Sequence, residues 1–239
     1  AARRNLKAIG TPELEEARDK VRWGRERRSM ALSEKEKENT AYHEAGHALV
    51  AVLTDGASSV HKATIMPRGN SLGMVSMLPE GDQTSQSWKE MIAFMDVAMG
   101  GRVAEELIFG EENITSGASS DIQAATRVAR NMVTKFGFSD EVGIVFHGGP
   151  VGQDSASDET RSKIDGEVRK LTQGAYERAK VLLQKHSKAH HLLAETLLEY
   201  ETLTGDEVRD IVIKGIKPKR PIVNTNKGAR GDNAMINDP

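Results

Sequence analysis

The chain has 239 residues, with 33 basic and 35 acidic side chains and a formal net charge of −2. With that balance nothing points to nucleic acid or an anionic membrane as a partner. There is no cysteine, so disulfides are excluded and any zinc site must be built from His and carboxylate ligands. The length suffices for a sizeable core, and with aromatics at only 4% the apolar content is mainly aliphatic, which favours helices.

No apolar run approaches the roughly 20 residues that span a bilayer, and the N-terminus has no signal-peptide pattern. The chain opens on Ala1-Ala2-Arg3-Arg4 without an initiating Met, which reads as part of a longer protein.

Residues 12–22 form the first expected helix, with Pro12 in its first turn. Arg22 to Met30 is basic and without period, a linker pattern. Ser33 and Glu36 make a capping box, preceded by apolar Leu32, and open a helix through Ala41, Ala45, Ala48, Leu49 and Val52. Gly56 is its terminator. Two β-like runs follow, Lys62–Met66 and Leu72–Leu78, with the turn sequence Pro67-Arg68-Gly69-Asn70 between them, so a hairpin is expected.

Ser87 and Glu90 cap a helix that runs to Phe109 and stops at Gly110. Gly100-Gly101 inside it costs roughly 1 kcal/mol per residue against Ala, which points to a close helix neighbour or a local break. Thr115–Ser119 reads as a loop. Ser120 and Gln123 are the expected cap of a helix with Ile122, Ala125, Ala129, Met132 and Val133 on one stripe, ending at Gly137.

Gly148–Ser157 is a Gly/Ser-rich, mobile loop by composition. A long helix follows, with Ile164, Val168, Leu171, Ala175, Ala179 and Leu182 on one face. Two shorter helices are expected, at about 188–201 and after a Thr204/Glu207 cap. The tail from Lys217 is basic and then polar, with too little apolar content to order itself. There are no internal repeats. The fold class is mainly α, with one small β element.

The chemistry concentrates in His43-Glu44-Ala45-Gly46-His47. On a helix, residues four apart stand on one face, so both histidines can grip one metal ion. Glu44 is rotated away from that grip but can reach a water on the metal, so HExxH combines binding with base catalysis. A catalytic zinc needs a third protein ligand. The extended H-E-x-x-H-x-x-G-x-x-H pattern is excluded, because Val50 and Leu53 stand where Gly and His are required. Glu105, Glu106 and Asp121 are candidates, with His61 and His147 weaker ones. Glu105 and Glu106 also suit a solvated helix face or a bond that orients a histidine. Asp121 also suits a helix-dipole contact. Spacing leaves the choice open.

Several segments together resemble the proteolytic domain of FtsH-type membrane-bound AAA proteases, the M41 zinc metallopeptidases. They are Glu26–Ser29, Thr40–Ala48, Ala63–Gly69, Gly100–Glu106, Thr115–Asp121 and Tyr200–Leu203, and the likeness covers about residues 12–213. The hairpin and Ser116–Asp121 look most like the mitochondrial i-AAA branch. The resemblance implies a mostly helical peptidase fold, Zn(2+) on His43, His47 and Asp121, and Glu44 as catalytic base. It implies residues 1–30 as the end of an ATPase lid helix with a linker, 31–216 as the zinc metallopeptidase domain and 217–239 as a disordered tail. It also implies an ATPase module and a membrane anchor preceding the chain, and a homo-hexamer acting on unfolded or membrane proteins in quality control. No GxxxxGK[ST] loop is present, so ATP is expected only in the full-length protein.

The implied location is a membrane: the mitochondrial inner membrane, alternatively the bacterial inner membrane or the chloroplast thylakoid. The extended run Gly73, Met74, Val75 and Ser76 is the expected place for substrate to pair as an added strand. The rival reading, a scaffold that keeps the fold without cleaving, expects a broken site, whereas His43, Glu44, His47 and Asp121 are all present.

Overall fold

The structure is a computed structural model, which describes residues 8–27, 32–69, 71–78, 85–147 and 156–221. Among the described residues seven α-helices and three strands follow one another: α1 Thr11–Trp23, α2 Glu34–Leu53, β1 Ser59–Thr64, β2 Met74–Leu78, α3 Trp88–Phe109, α4 Ser119–Thr134, α5 Asp158–Lys185, α6 Ser187–Tyr200, β3 Thr202–Thr204 and α7 Gly205–Lys214.

The helix starts show how local sequence sets these bounds. Ser33, Ser87 and Thr204 each accept a hydrogen bond from the N–H of the third residue on, and the Glu36, Glu90 and Glu207 carboxylates each accept one from the cap's N–H. Such boxes satisfy two of the orphan donors at a helix start. The helix containing Asp121 departs from expectation. It begins at Ser119, after Ala118, with no side-chain cap from Ser120. The expected loop before it is wound into a 3-10 turn, Ser116–Ala118, capped by the Thr115 hydroxyl. Because that turn feeds the helix directly, no break is left for Ser120 to cap.

The hairpin is present but shifted. β1 covers 59–64 rather than 62–66, and β2 starts at Met74 rather than Leu72. A bulge between Val60 and Lys62 adjusts the antiparallel register, which runs from Ser59 opposite Leu78 to Thr64 opposite Met74. A third strand, β3, pairs antiparallel with the other side of β1, giving the order β2-β1-β3. It leaves β2 at an edge.

The core is built around α2 and α3. Ala41, Ala45, Ala48 and Leu49 of α2 meet Met95, Met99, Val103 and Ala104 of α3, with α4, α5 and α6 closing around them. At the crossing, a Cβ on Gly46 would lie 2.5 Å from the Gly100 carbonyl oxygen, and one on Gly100 would lie 2.8 Å from the Gly46 oxygen. The glycine pair therefore marks close approach and not a break, for α3 is continuous through it.

Parts of the expected linker and tail are ordered against the sheet. Arg27 N–H donates to the Pro67 carbonyl at 2.8 Å, and Glu26 bridges to Arg68. Arg220 lies over Tyr200 and bonds to Glu207. Asn70 of the expected turn, residues 28–30 of the linker, 148–155 of the expected loop and 222–239 of the tail lie outside the described residues.

Candidate metal centre

α2 delivers His43 and His47 to one face, one turn apart, as the four-residue spacing requires. Their Nε2 atoms stand 3.0 Å from each other. α4 brings Asp121 to the same point from its first turn, with Oδ2 3.5 Å from each Nε2. Among the described residues these three are the group able to hold a metal ion. The helix dipole favours a carboxylate in that first turn.

The geometry fits zinc. Bonds of about 2.05 Å in a tetrahedral arrangement put donors about 3.3 Å apart, and the separations here of 3.0 and 3.5 Å bracket that value. The other ring nitrogens are committed elsewhere. His47 Nδ1 lies 2.7 Å from the Val97 carbonyl, which can only accept, so Nδ1 carries the proton. His43 Nδ1 lies 2.7 Å from Glu105 Oε1. Both Nε2 atoms therefore point at the shared centre, an orientation such outer partners commonly fix in metal sites. α3 forms the floor, where a Cβ on Gly101 would come within 2.5 Å of both Nε2 atoms.

The other carboxylates separate cleanly. Glu105 is buried, its second oxygen accepting from Thr115 N–H at 2.7 Å, so it ties His43 to the turn that leads into Asp121. Glu106 faces away and binds Tyr176 and Lys180. His61 sits near Arg18 and Glu15, remote from the centre. The weaker candidate His147 is likewise not in the metal-competent group.

Charges follow from these contacts. Burial opposes charge on His43, but the bonds to Asp121 and Glu105 outweigh it and raise its pKa to about 10. Burial likewise opposes the Asp121 charge, and the two histidines overcome it, holding the carboxyl far below its usual range. Glu44 is the opposite case. It is buried, and that desolvation pushes its pKa up despite the neighbouring imidazoles. A carboxylate raised in this way is a better proton acceptor.

The site opens into a cleft of roughly 1500 Å³ that extends along β2. Gly73, Met74 and Val75 line it, whereas the Ser76 side chain is buried. A Cβ on Gly73 would lie 2.8 Å from Glu44 Oε1, so backbone approaches the carboxylate as closely as it can.

Comparison with known proteins agrees with this geometry. The profile of peptidase family M41 matches residues 30–211. The "ATP-dependent zinc metalloprotease FtsH" of Caulobacter vibrioides is 51% identical over 92% of this chain. The chain spans 37% of that protein's length. The human "ATP-dependent zinc metalloprotease YME1L1" is 51% identical over 86% of this chain and 26% of its own length. The Arabidopsis thaliana "ATP-dependent zinc metalloprotease FTSH 11, chloroplastic/mitochondrial" is 49% identical over 89% of this chain and 26% of its own length. On the extent of the profile match and these identities, the chain belongs to peptidase family M41, the family of the FtsH proteases.

Proposed function

We propose that this chain is the zinc endopeptidase part of a membrane-anchored, ATP-dependent protease, with zinc on His43, His47 and Asp121 and Glu44 as general base. The observation that carries the reading is the convergence of three donor atoms beside a buried carboxylate at the wall of an open cleft. Zinc bound there supplies Lewis acidity, polarising a carbonyl and lowering the pKa of water.

The protein's own groups do the rest. Substrate backbone lies along the free edge of β2, where main-chain hydrogen bonds hold any sequence in extended form. Gly73, Met74 and Val75 set that path, and Ser76 contributes backbone alone. Glu44 accepts the proton of the attacking water and returns it to the departing amide nitrogen. Glu105 and the Val97 carbonyl hold the two imidazoles in register through both steps.

The wider assignment rests on the family. Residues 1–30 are the end of the ATPase lid and a linker, 31–216 the peptidase domain and 217–239 the tail. The full-length protein is a homo-hexamer that uses ATP and degrades unfolded or membrane proteins for quality control. Its proposed place is the mitochondrial inner membrane, supported by the i-AAA-like hairpin and Ser116–Asp121. Among the described residues no helix is long and apolar enough to cross a membrane.

Glu44→Gln tests the central assignment. It keeps zinc at one ion per chain and loses cleavage of a fluorogenic peptide by at least about a hundredfold, within the range that general-base removal costs. Cleavage at the parental rate would remove Glu44 from the reaction.

A further inference from the structure

α1 precedes the residues that the M41 profile matches, yet its last residue reaches the cleft. Trp23 lines it together with Arg68, Ser71 and Leu72, and Leu72 is next to Gly73, which packs on Glu44. The placement is built from several contacts. Buried Asp19 accepts from Lys62 and, at 3.3 Å, from Arg18, and Arg68 Nη2 lies 4.0 Å from it. Arg27 Nη1 donates to the Gly69 carbonyl at 3.0 Å. Gly24 and Gly69 take φ of +88° and +54°, and a Cβ on Gly69 would stand 2.7 Å from the Trp23 carbonyl oxygen. The end of α1 is thereby clamped to the turn of the hairpin.

We propose that Trp23 is a substrate-binding residue, taking a large apolar side chain of the peptide a few residues from the cleaved bond. The inference rests on the peptidase reading above. Gly73 is four positions beyond Gly69, at most about 14 Å of chain, which is the reach of about four substrate residues in a strand. The indole is half-buried, leaving apolar surface to be covered. Arg22 lies 5.9 Å from its ring centroid, so a cationic side chain arriving there meets like charge. An apolar or aromatic side chain meets none and gains from the ring face.

The test uses the zinc-loaded chain and fluorogenic peptides that carry Phe, Ala or Lys at successive positions on each side of the cleaved bond. Trp23→Ala raises KM roughly tenfold for peptides with Phe at one position, leaves kcat unchanged, and leaves the matching Ala peptides within about twofold. Trp23→Phe restores the parental KM. A uniform effect across the series, or a parental preference for Lys at that position, would overturn the proposal.

A second readout does not need cleavage. The chain has two tryptophans, so Trp88→Phe with Glu44→Gln leaves Trp23 as the only reporter. Titration with the Phe peptide shifts its emission to shorter wavelength, and unchanged emission at saturation would contradict the assignment. If the parental chain binds but fails to cleave, the peptidase reading fails and the emission still decides the role of Trp23. It also decides it if Trp23→Ala does not fold.

Discussion

Gly101 and Glu105 stand one turn apart on α3, where Gly101 makes room for both histidines and Glu105 holds His43. Gly101 removes a side chain so that α2 can lower its imidazoles onto α3. Glu105 holds His43 by one oxygen and the Thr115 N–H by the other, so one buried carboxylate ties the helix of His43 and His47 to the turn that leads into Asp121. Glu105→Ala is expected to weaken zinc binding by about 10- to 100-fold, the usual cost of losing such an outer partner. Chelator competition against the parental chain measures it, and unchanged affinity would mean that His43 needs no such support. Spacing placed Glu105 among candidate ligands because a carboxylate one helix away can either bind metal or orient a histidine. Only the observed bond to Nδ1 separates the two. Asp121 was equally ambiguous in isolation, since a first-turn acid also serves the helix dipole.

At the scale of elements, the α2–α3 crossing carries the site. Gly46→Ala improves helix propensity by up to about 1 kcal/mol but drives a methyl into the Gly100 carbonyl. Overpacking of this kind costs about 1–3 kcal/mol. A net loss of about 1–2 kcal/mol in the metal-free chain is expected from denaturant unfolding, and a stabilised variant would show that the crossing has room.

α6 adds a pH dependence. His190 is buried, donates to the Tyr42 carbonyl at 3.0 Å, and its pKa falls from 6.5 to about 4, chiefly through desolvation. The folded chain therefore binds fewer protons there than the unfolded chain. Its contribution is complete above about pH 6.5 and is lost as pH falls towards 4, about 3 kcal/mol in all. His190→Gln should flatten the stability profile over that window, measured by urea unfolding in metal-free buffer. An unaltered slope would assign the acid sensitivity elsewhere.

Helices with capping boxes and glycine stops were legible in the sequence because those signals are local. β3 was not, because three residues carry no period and its pairing with β1 spans about 140 positions of chain. The 3-10 turn before α4 was missed for a related reason, since Thr-Ser-Gly-Ala-Ser reads as an ordinary loop until a helix continues it.

Over the whole molecule, function depends on segments far apart in sequence. HEAGH announces itself because the two proposed histidine ligands and the proposed base lie within five residues. Asp121, the proposed third ligand, is 74 positions beyond His47, and the floor and outer partners come from another helix. Their convergence depends on packing, so the motif showed the chemistry while the resemblance to a family named the partner. The contribution of α1 to the cleft left no sequence signal, because a helix-terminal Trp before a basic stretch has no pattern of its own.

The central proposal is that this constellation holds a single zinc ion that cleavage requires. Native mass spectrometry with a parallel peptide assay tests it on one sample, before chelation, after chelation and after zinc is returned. One zinc per chain, loss of cleavage with the metal, and recovery of both on re-addition are expected. A metal-free chain that cleaves at the parental rate would contradict it.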